Sequence, residues 1–291
     1  MTDLIKEQKL KMAAELTGSR IGTEPKLQVY VNCLNVSDER IKHAIMSYRK
    51  WAGSGSNLAA KLHGRPSLAT FGSFFTDACG RNLRDASRKA PATPELDVAA
   101  TEYADTVEKL LPLIDDAENY YGLQKAYQDD NYARGRDLHT RLTPLFMRFE
   151  RATLAFNKLV DQGNTAELAR ERDAIEKREG RKFTWHEMTF MASAKTLLDV
   201  VDNEVIAPDA YAQALESLTR QSAEFDGYVR ANRDVVESRS HWSWFPDAKN
   251  EFVGAARALG RAVKAGKGIE PARQEFFERY NKLVDRDNDL R

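Results

Sequence analysis

Apolar residues recur every three or four positions along most of this chain, and that spacing suits helices that bury one face. Between Leu27 and Trp51 the apolar positions are Leu27, Tyr30, Val31, Leu34, Ile41, Ala44, Ile45, Tyr48 and Trp51. From Leu138 the stripe continues through Leu142, Leu145, Phe146, Phe149, Phe156, Leu159 and Val160. Leu142, Phe149 and Phe156 stand a heptad apart, a seam suited to near-parallel helix packing. Further stripes are Trp185, Met188, Met191, Leu198, Val201; then Tyr211, Leu215, Leu218, Phe225, Val229; then Phe252, Ala256, Leu259, Val263; and last Phe276, Phe277, Tyr280, Leu283, Val284. No segment sustains the period-two alternation of a strand. The expected fold class is all-α, an elongated helical bundle of seven to nine helices. Its spine is a long antiparallel pair, about Pro94–Gln124 and Asp130–Asp161.

Loop signals divide these stripes. Ser54 to Ser67 (SGSNLAAKLHGRPS) reads as a long loop, and Ala90 to Thr93 breaks the chain before Pro94 opens a helix at its favoured first turn. Gly163-Asn164-Thr165 is expected to end the second spine helix, with Thr165 capping a charged helix over Glu167–Arg178. Asn203 to Asp209 and Ser238 to Asp247 supply further turns. Pro112 and Pro144 fall inside helical patterns, so each predicts a kink or a short break. The 291 residues suit a single all-helical domain, 1–291, with sub-lobes at 1–90 and 91–291.

Composition excludes several function classes. Hydrophobic content of 42% is enough for a sizeable core. Lys plus Arg and Asp plus Glu both number 44, so the net charge is zero. No nucleic-acid partner is expected without a basic excess or a basic face. No apolar run approaches the ~20 residues of a transmembrane span. The N-terminus, MTDLIKEQKLKMAAEL, is charged, helical in pattern and without the apolar core of a signal peptide. Taken alone, that reads as cytoplasmic, and it fits equally a mature form whose export signal has been cut away.

Motifs for chemistry are missing. No nucleophile elbow, dinucleotide fingerprint or phosphate loop occurs. The five histidines include no pair at the spacing that puts two ligands on one helix face. The expectation is no catalytic residue, no metal and no cofactor, hence no enzyme. Cys33 and Cys79 cannot build a zinc site alone. Two readings of them stand open: two buried thiols, or one disulfide tying a helix to the segment after the long loop.

Two stretches carry candidate binding residues. The first runs YYGLQKAYQDDNYARGRDLH, with Tyr120, Tyr121, Tyr127, Asp129, Asp130 and His139. The plainer reading is a capped helical hairpin with tyrosines packed at its turn; the sharper one is an acidic and aromatic patch for a cation, sugar or partner protein. Adjacent aspartates point apart and make a weak catalytic pair. The second stretch is SHWSWFP, where Trp242 and Trp244 form a platform for sugar rings or plug the end of a bundle.

One set of motifs resembles a known family. Tyr30-Val31-Asn32-Cys33-Leu34-Asn35 is followed by Ser47-Tyr48-Arg49-Lys50-Trp51, then by Cys79 ahead of PELDVAATEYA. Leu110 to Tyr121 (LLPLIDDAENYY) then runs into Tyr127-Gln128-Asp129-Asp130 and Gly135-Arg136-Asp137-Leu138-His139. Together these resemble the YiiG-like lipoproteins, an envelope-associated bacterial family of unknown function; they cover roughly residues 25 to 160. The resemblance implies a helical periplasmic or outer-membrane lipoprotein with Cys33 and Cys79 bridged, its lipid anchor on a removed N-terminal segment. It brings no catalytic residues. The expected function is a non-enzymatic binding or scaffold protein of the envelope, its partner an envelope protein or a small ligand. Alternatives are a small-molecule or saccharide receptor with a pocket near the tyrosine turn and the WSWF loop, a toxin-neutralising immunity lipoprotein, or a hydrolase using carboxylates.

Overall fold

The computed structural model describes residues 25–53, 58, 65–238 and 242–290. The expected N-terminal helix, most of the Ser54–Ser67 loop, His63 and His241 lie outside these residues. The described residues form helices joined by short turns, with no strand among them. Nine helices follow in order. They are α1 (Pro25–Ala52), α2 (72–87, with a π-helical turn at Asp77–Arg81), α3 (Pro94–Glu118, running into a π-turn at Asn119–Leu123), α4 (Ala133–Glu179), α5 (Phe183–Val201), α6 (Pro208–Ala231), α7 (Arg233–Glu237), α8 (Phe245–Ala265) and α9 (Ile269–Asp289).

The chain divides into two compact units at Asn164/Thr165, a point inside α4; α1 to α3 share the first unit, so residue 90 is no boundary. In the first unit α1, α2 and α3 pack with the part of α4 up to residue 164. The stripe residues meet here as rings: Tyr30 and Phe156 centroids lie 5.6 Å apart, Tyr103 and Phe156 5.2 Å. Glu102 on α3 holds Arg148 on α4 through two bonds of 2.7 and 2.9 Å, and Asp116 faces Arg134 at 3.6 Å. Residue numbers fall on one helix as they rise on the other, which is the antiparallel pair the pattern predicts. Helix α2 is pinned three ways. Its start is held by Asp115, which accepts from the amides of Phe71 and Gly72 at 2.8 and 3.2 Å. Arg84 pairs with Asp105 and Glu108, and a disulfide joins Cys79 to Cys33 on α1.

The expected stop at Gly163-Asn164-Thr165 is not one: α4 runs unbroken from Ala133 to Glu179. A Cβ at Gly163 would come within 3.2 Å of Leu27 Cδ1, so this glycine admits the side chain of another helix. Glycine inside a helix costs about 1 kcal/mol against alanine, which burial elsewhere along α4 outweighs. Pro112 and Pro144 likewise lie within continuous helices.

The second unit packs α5 to α9 with the end of α4. Phe190, Leu218, Phe225, Phe252, Phe276 and Tyr280 are fully buried in its core. Gly266, at φ +65°, ends α8 in the left-handed conformation that a helix C-terminus favours.

Candidate functional site

The tyrosine-rich turn joins the two long helices of the first unit. The π-turn Asn119–Leu123 widens the end of α3, and both Tyr120 and Tyr121 face the interior, 1% and 0% exposed. The backbone then turns through three left-handed non-glycine residues, Lys125, Asn131 and Tyr132. Asp130 fixes the entry to α4: its carboxylate accepts from the Arg134 amide at 3.0 Å and from the Tyr120 hydroxyl at 2.6 Å. Burial raises the Asp130 pKa, yet the Tyr120 bond and the amides of Arg134, Ala133 and Tyr132 outweigh it and leave the group below its ordinary value.

Around Tyr121 the rings form one aromatic cluster. Trp51 lies edge-on at 4.8 Å, Tyr120 at 4.6 Å, Tyr127 at 6.1 Å and Tyr48 at 6.4 Å. His139 is 2% exposed, stacks on Tyr48 at 5.8 Å and has its Nδ1 3.2 Å from the Tyr48 hydroxyl. Burial pushes the Tyr48 phenol up to about 12 and those of Tyr120 and Tyr121 higher. These phenols stay neutral at physiological pH and serve neither as bases nor as anions. A Cβ at Gly135 would stand 2.6 Å from the Tyr121 hydroxyl, so glycine there lets that ring close against α4.

The sequence-predicted residues thus separate. Tyr120, Tyr121 and His139 are interior; Tyr127 and Asp130 are half-buried; Asp129 is exposed. Trp242 and Trp244 belong to the other unit. Trp242 is buried among Phe183 (5.4 Å), Phe245 (6.0 Å) and Phe225 (6.1 Å). Trp244 is 52% exposed, with the Arg286 guanidinium 5.4 Å above its ring. The two indoles do not lie open side by side.

An open groove of about 470 Å³ runs between α3 and α4 in the first unit. Pro112, Leu113 and Leu145 form its apolar lining, and Glu108, Lys109, Asp116 and Arg141 its charged rim. None of the predicted residues lines it.

Sequence reasoning missed buried polar centres in both units. In the first unit Asp38 is fully buried; its Oδ2 binds Lys42 Nζ at 2.6 Å and Asn157 Nδ2 at 3.4 Å. In the second, Lys249 is 1% exposed and reaches Ser222 Oγ and Asp226 Oδ1, both at 2.9 Å. A serine beside a lysine suggests a nucleophile and base, but here the Lys249 Nζ is shared between Ser222 and the Asp226 carboxylate, the arrangement of an ion pair with a buried lysine. Both were detectable: Asp38 sits between Leu34 and Ile41, and Lys249 between Phe245 and Phe252, at helical spacing on buried faces. Among the described residues no three His, Cys, Asp or Glu gather to hold a metal ion, and no helix is long and apolar enough to cross a membrane.

Fold and site define an all-helical protein with aromatic-filled cores. By residues 23–289 the chain belongs to the family described as Protein of unknown function (DUF3829). It is 24% identical over 295 aligned positions to "Uncharacterized protein YiiG" of Escherichia coli (strain K12), an alignment covering 92% of this chain and 79% of that protein. No solved structure matches.

Proposed function

We propose that this chain is a non-enzymatic protein of the cell envelope that binds or scaffolds a partner through exposed helical surface. The observation that carries the reading is how the chemistry-bearing residues of the tyrosine turn are used. Tyr120, Tyr121 and His139 are buried in ring-to-ring packing, and the Tyr120 hydroxyl and the Asp130 carboxylate answer each other. Aromatic and polar groups spent inside the fold in this way are withdrawn from furnishing a reaction cleft at the turn. The Cys33–Cys79 disulfide supports an oxidising compartment, where such bonds persist.

The test is fractionation of cells making the protein from its native gene, with thiols trapped by acid quenching and a maleimide of high mass. The expected result is recovery with the envelope and a maleimide shift only after reduction. Recovery in the cytosol with both cysteines reactive overturns the compartment. The non-enzymatic part falls if purified protein turns over an envelope substrate and one rim substitution, Arg141→Ala, abolishes that turnover.

A receptor for a small molecule or saccharide is the second reading, favoured by the exposed Trp244 ring and the groove beside Pro112. It predicts saturable quenching of tryptophan fluorescence by a saccharide, lost in Trp244→Ala.

A further inference from the structure

The surroundings of the cysteine pair are chemically one-sided. Cys33, Ser37, Cys79 and Tyr103 are all buried, at 1% exposure or less. Ser37 Oγ donates its single hydrogen to the Cys33 carbonyl at 2.8 Å. That leaves only lone pairs for its other neighbours, so the Tyr103 hydroxyl, 3.2 Å away, is the donor in their contact. A lone pair of Ser37 faces Cys79 Sγ at 3.1 Å, and the Cys33 carbonyl oxygen faces the same sulfur at 3.2 Å. Two acceptors therefore meet this sulfur. A disulfide sulfur needs neither, a thiol hydrogen is accepted by either, and a thiolate is opposed by both.

The charged groups nearby do not reverse this. On α1 the Lys42 amine is engaged by the buried Asp38 carboxyl at 2.6 Å. On the π-turn that carries Cys79, Arg81 pairs with Asp77 at 3.1 Å, and both are at least half exposed. On α3, Tyr103 stays neutral because burial lifts its phenol well above the usual range. Glu108, the acid that packs against Gly80, is held by Arg84 at 2.7 Å. The α4 neighbours, Thr153 and Asn157, are uncharged.

We propose that Cys33 and Cys79 form a two-state redox element whose reduced state keeps the same packing and whose Cys79 sulfur stays a protonated, non-nucleophilic thiol. Reduction needs an external dithiol: the S–S bond breaks, the dithiol closes to its own disulfide, and its two hydrogens end on the two cysteine sulfurs. After that cleavage α2 remains pinned by Asp115 and by Arg84. The inference reaches beyond the envelope reading and holds in either compartment.

The experiment uses the full chain in both states, the dithiol form prepared with dithiothreitol in urea and refolded without oxygen. Near-ultraviolet circular dichroism reads the packing of the buried tyrosines, and thiolate is read as the 240 nm absorbance difference between the two forms, in which tyrosine ionisation cancels. The expected spectra superimpose, and no Cys79 thiolate develops through the ordinary thiol range near about 8.5. Assignment to Cys79 comes from titrating Cys33→Ser against the double variant Cys33→Ser/Cys79→Ser, a pair in which tyrosine ionisation again cancels. Loss of the tyrosine signal on reduction overturns the shared packing. Thiolate forming at or below the ordinary value overturns the acceptor-only site.

Discussion

Asp38 falls on the stripe that α1 turns inward, so helical geometry alone carries its carboxyl into the core. Burial raises its pKa, and Lys42 opposes that rise without cancelling it. A carboxyl whose folded value lies above its unfolded one favours the fold most when protonated. Its contribution is present below the unfolded value, about 3.9, and is lost as pH climbs through the folded one. Asp38→Asn removes that titration. The urea midpoint of the variant is expected to gain on the parent as pH rises from about 4 to about 7; a constant gap between them refutes the assignment. Gly135 gives a second prediction at this scale. The Cβ of Gly135→Ala meets the Tyr121 hydroxyl at 2.6 Å, and the ring is already enclosed by Trp51, Tyr120 and Tyr127. Overpacking of roughly 1–3 kcal/mol is expected in the denaturation free energy, exceeding the small gain in helix propensity.

At the scale of elements, the bridge between α1 and α2 closes a 46-residue separation. In the chain-entropy account that stabilises the fold by about 4 kcal/mol, through the unfolded state. Reduced protein is therefore expected to unfold at clearly lower urea concentration than oxidised protein, with an unchanged far-ultraviolet spectrum in water. The helices themselves were legible because a buried face repeats every three or four residues whatever the neighbour is. Gly163-Asn164-Thr165 was misread for the complementary reason: glycine signals both a helix end and a close approach. Only the presence of Leu27 opposite Gly163 decides between them, and that partner lies far away in sequence. The same limit applies to the candidate site. Tyr120 and Tyr121 both turn inward at a π-turn, whose widened geometry leaves no periodic signal in the sequence. Trp242 and Trp244 both sit in a short 3-10 turn, where two residues of separation place one ring in the core and the other on the surface.

For the whole molecule, zero net charge hides groups that titrate in opposite senses. Burial would raise Asp97, but bonds from Lys26, the Thr93 amide, Tyr30 and the Thr93 hydroxyl prevail and leave it lowered. Glu102 is lowered chiefly by Arg148, and Glu251 chiefly by Lys282. His186 is lowered by burial, so the fold prefers its neutral ring. Each of these contributes stability above the unfolded pKa that is lost as pH falls through the folded one, against the opposite trend of Asp38. The carboxylates differ in their sensitivity to salt. Glu102 and Glu251 have side chains 47% and 38% exposed, whereas Asp97 is 16% exposed and Lys26 beside it 3%. Salt at about 1 M shortens the screening length to about 3 Å and removes most of what exposed pairs contribute. The melting temperature is therefore expected to fall on acidification from about pH 6 to about pH 3, less steeply in high salt. The part of the fall that salt leaves is assigned to Asp97, and Asp97→Asn should flatten it. A decline wholly abolished by salt, or unaltered in Asp97→Asn, would place the acid sensitivity on the surface pairs.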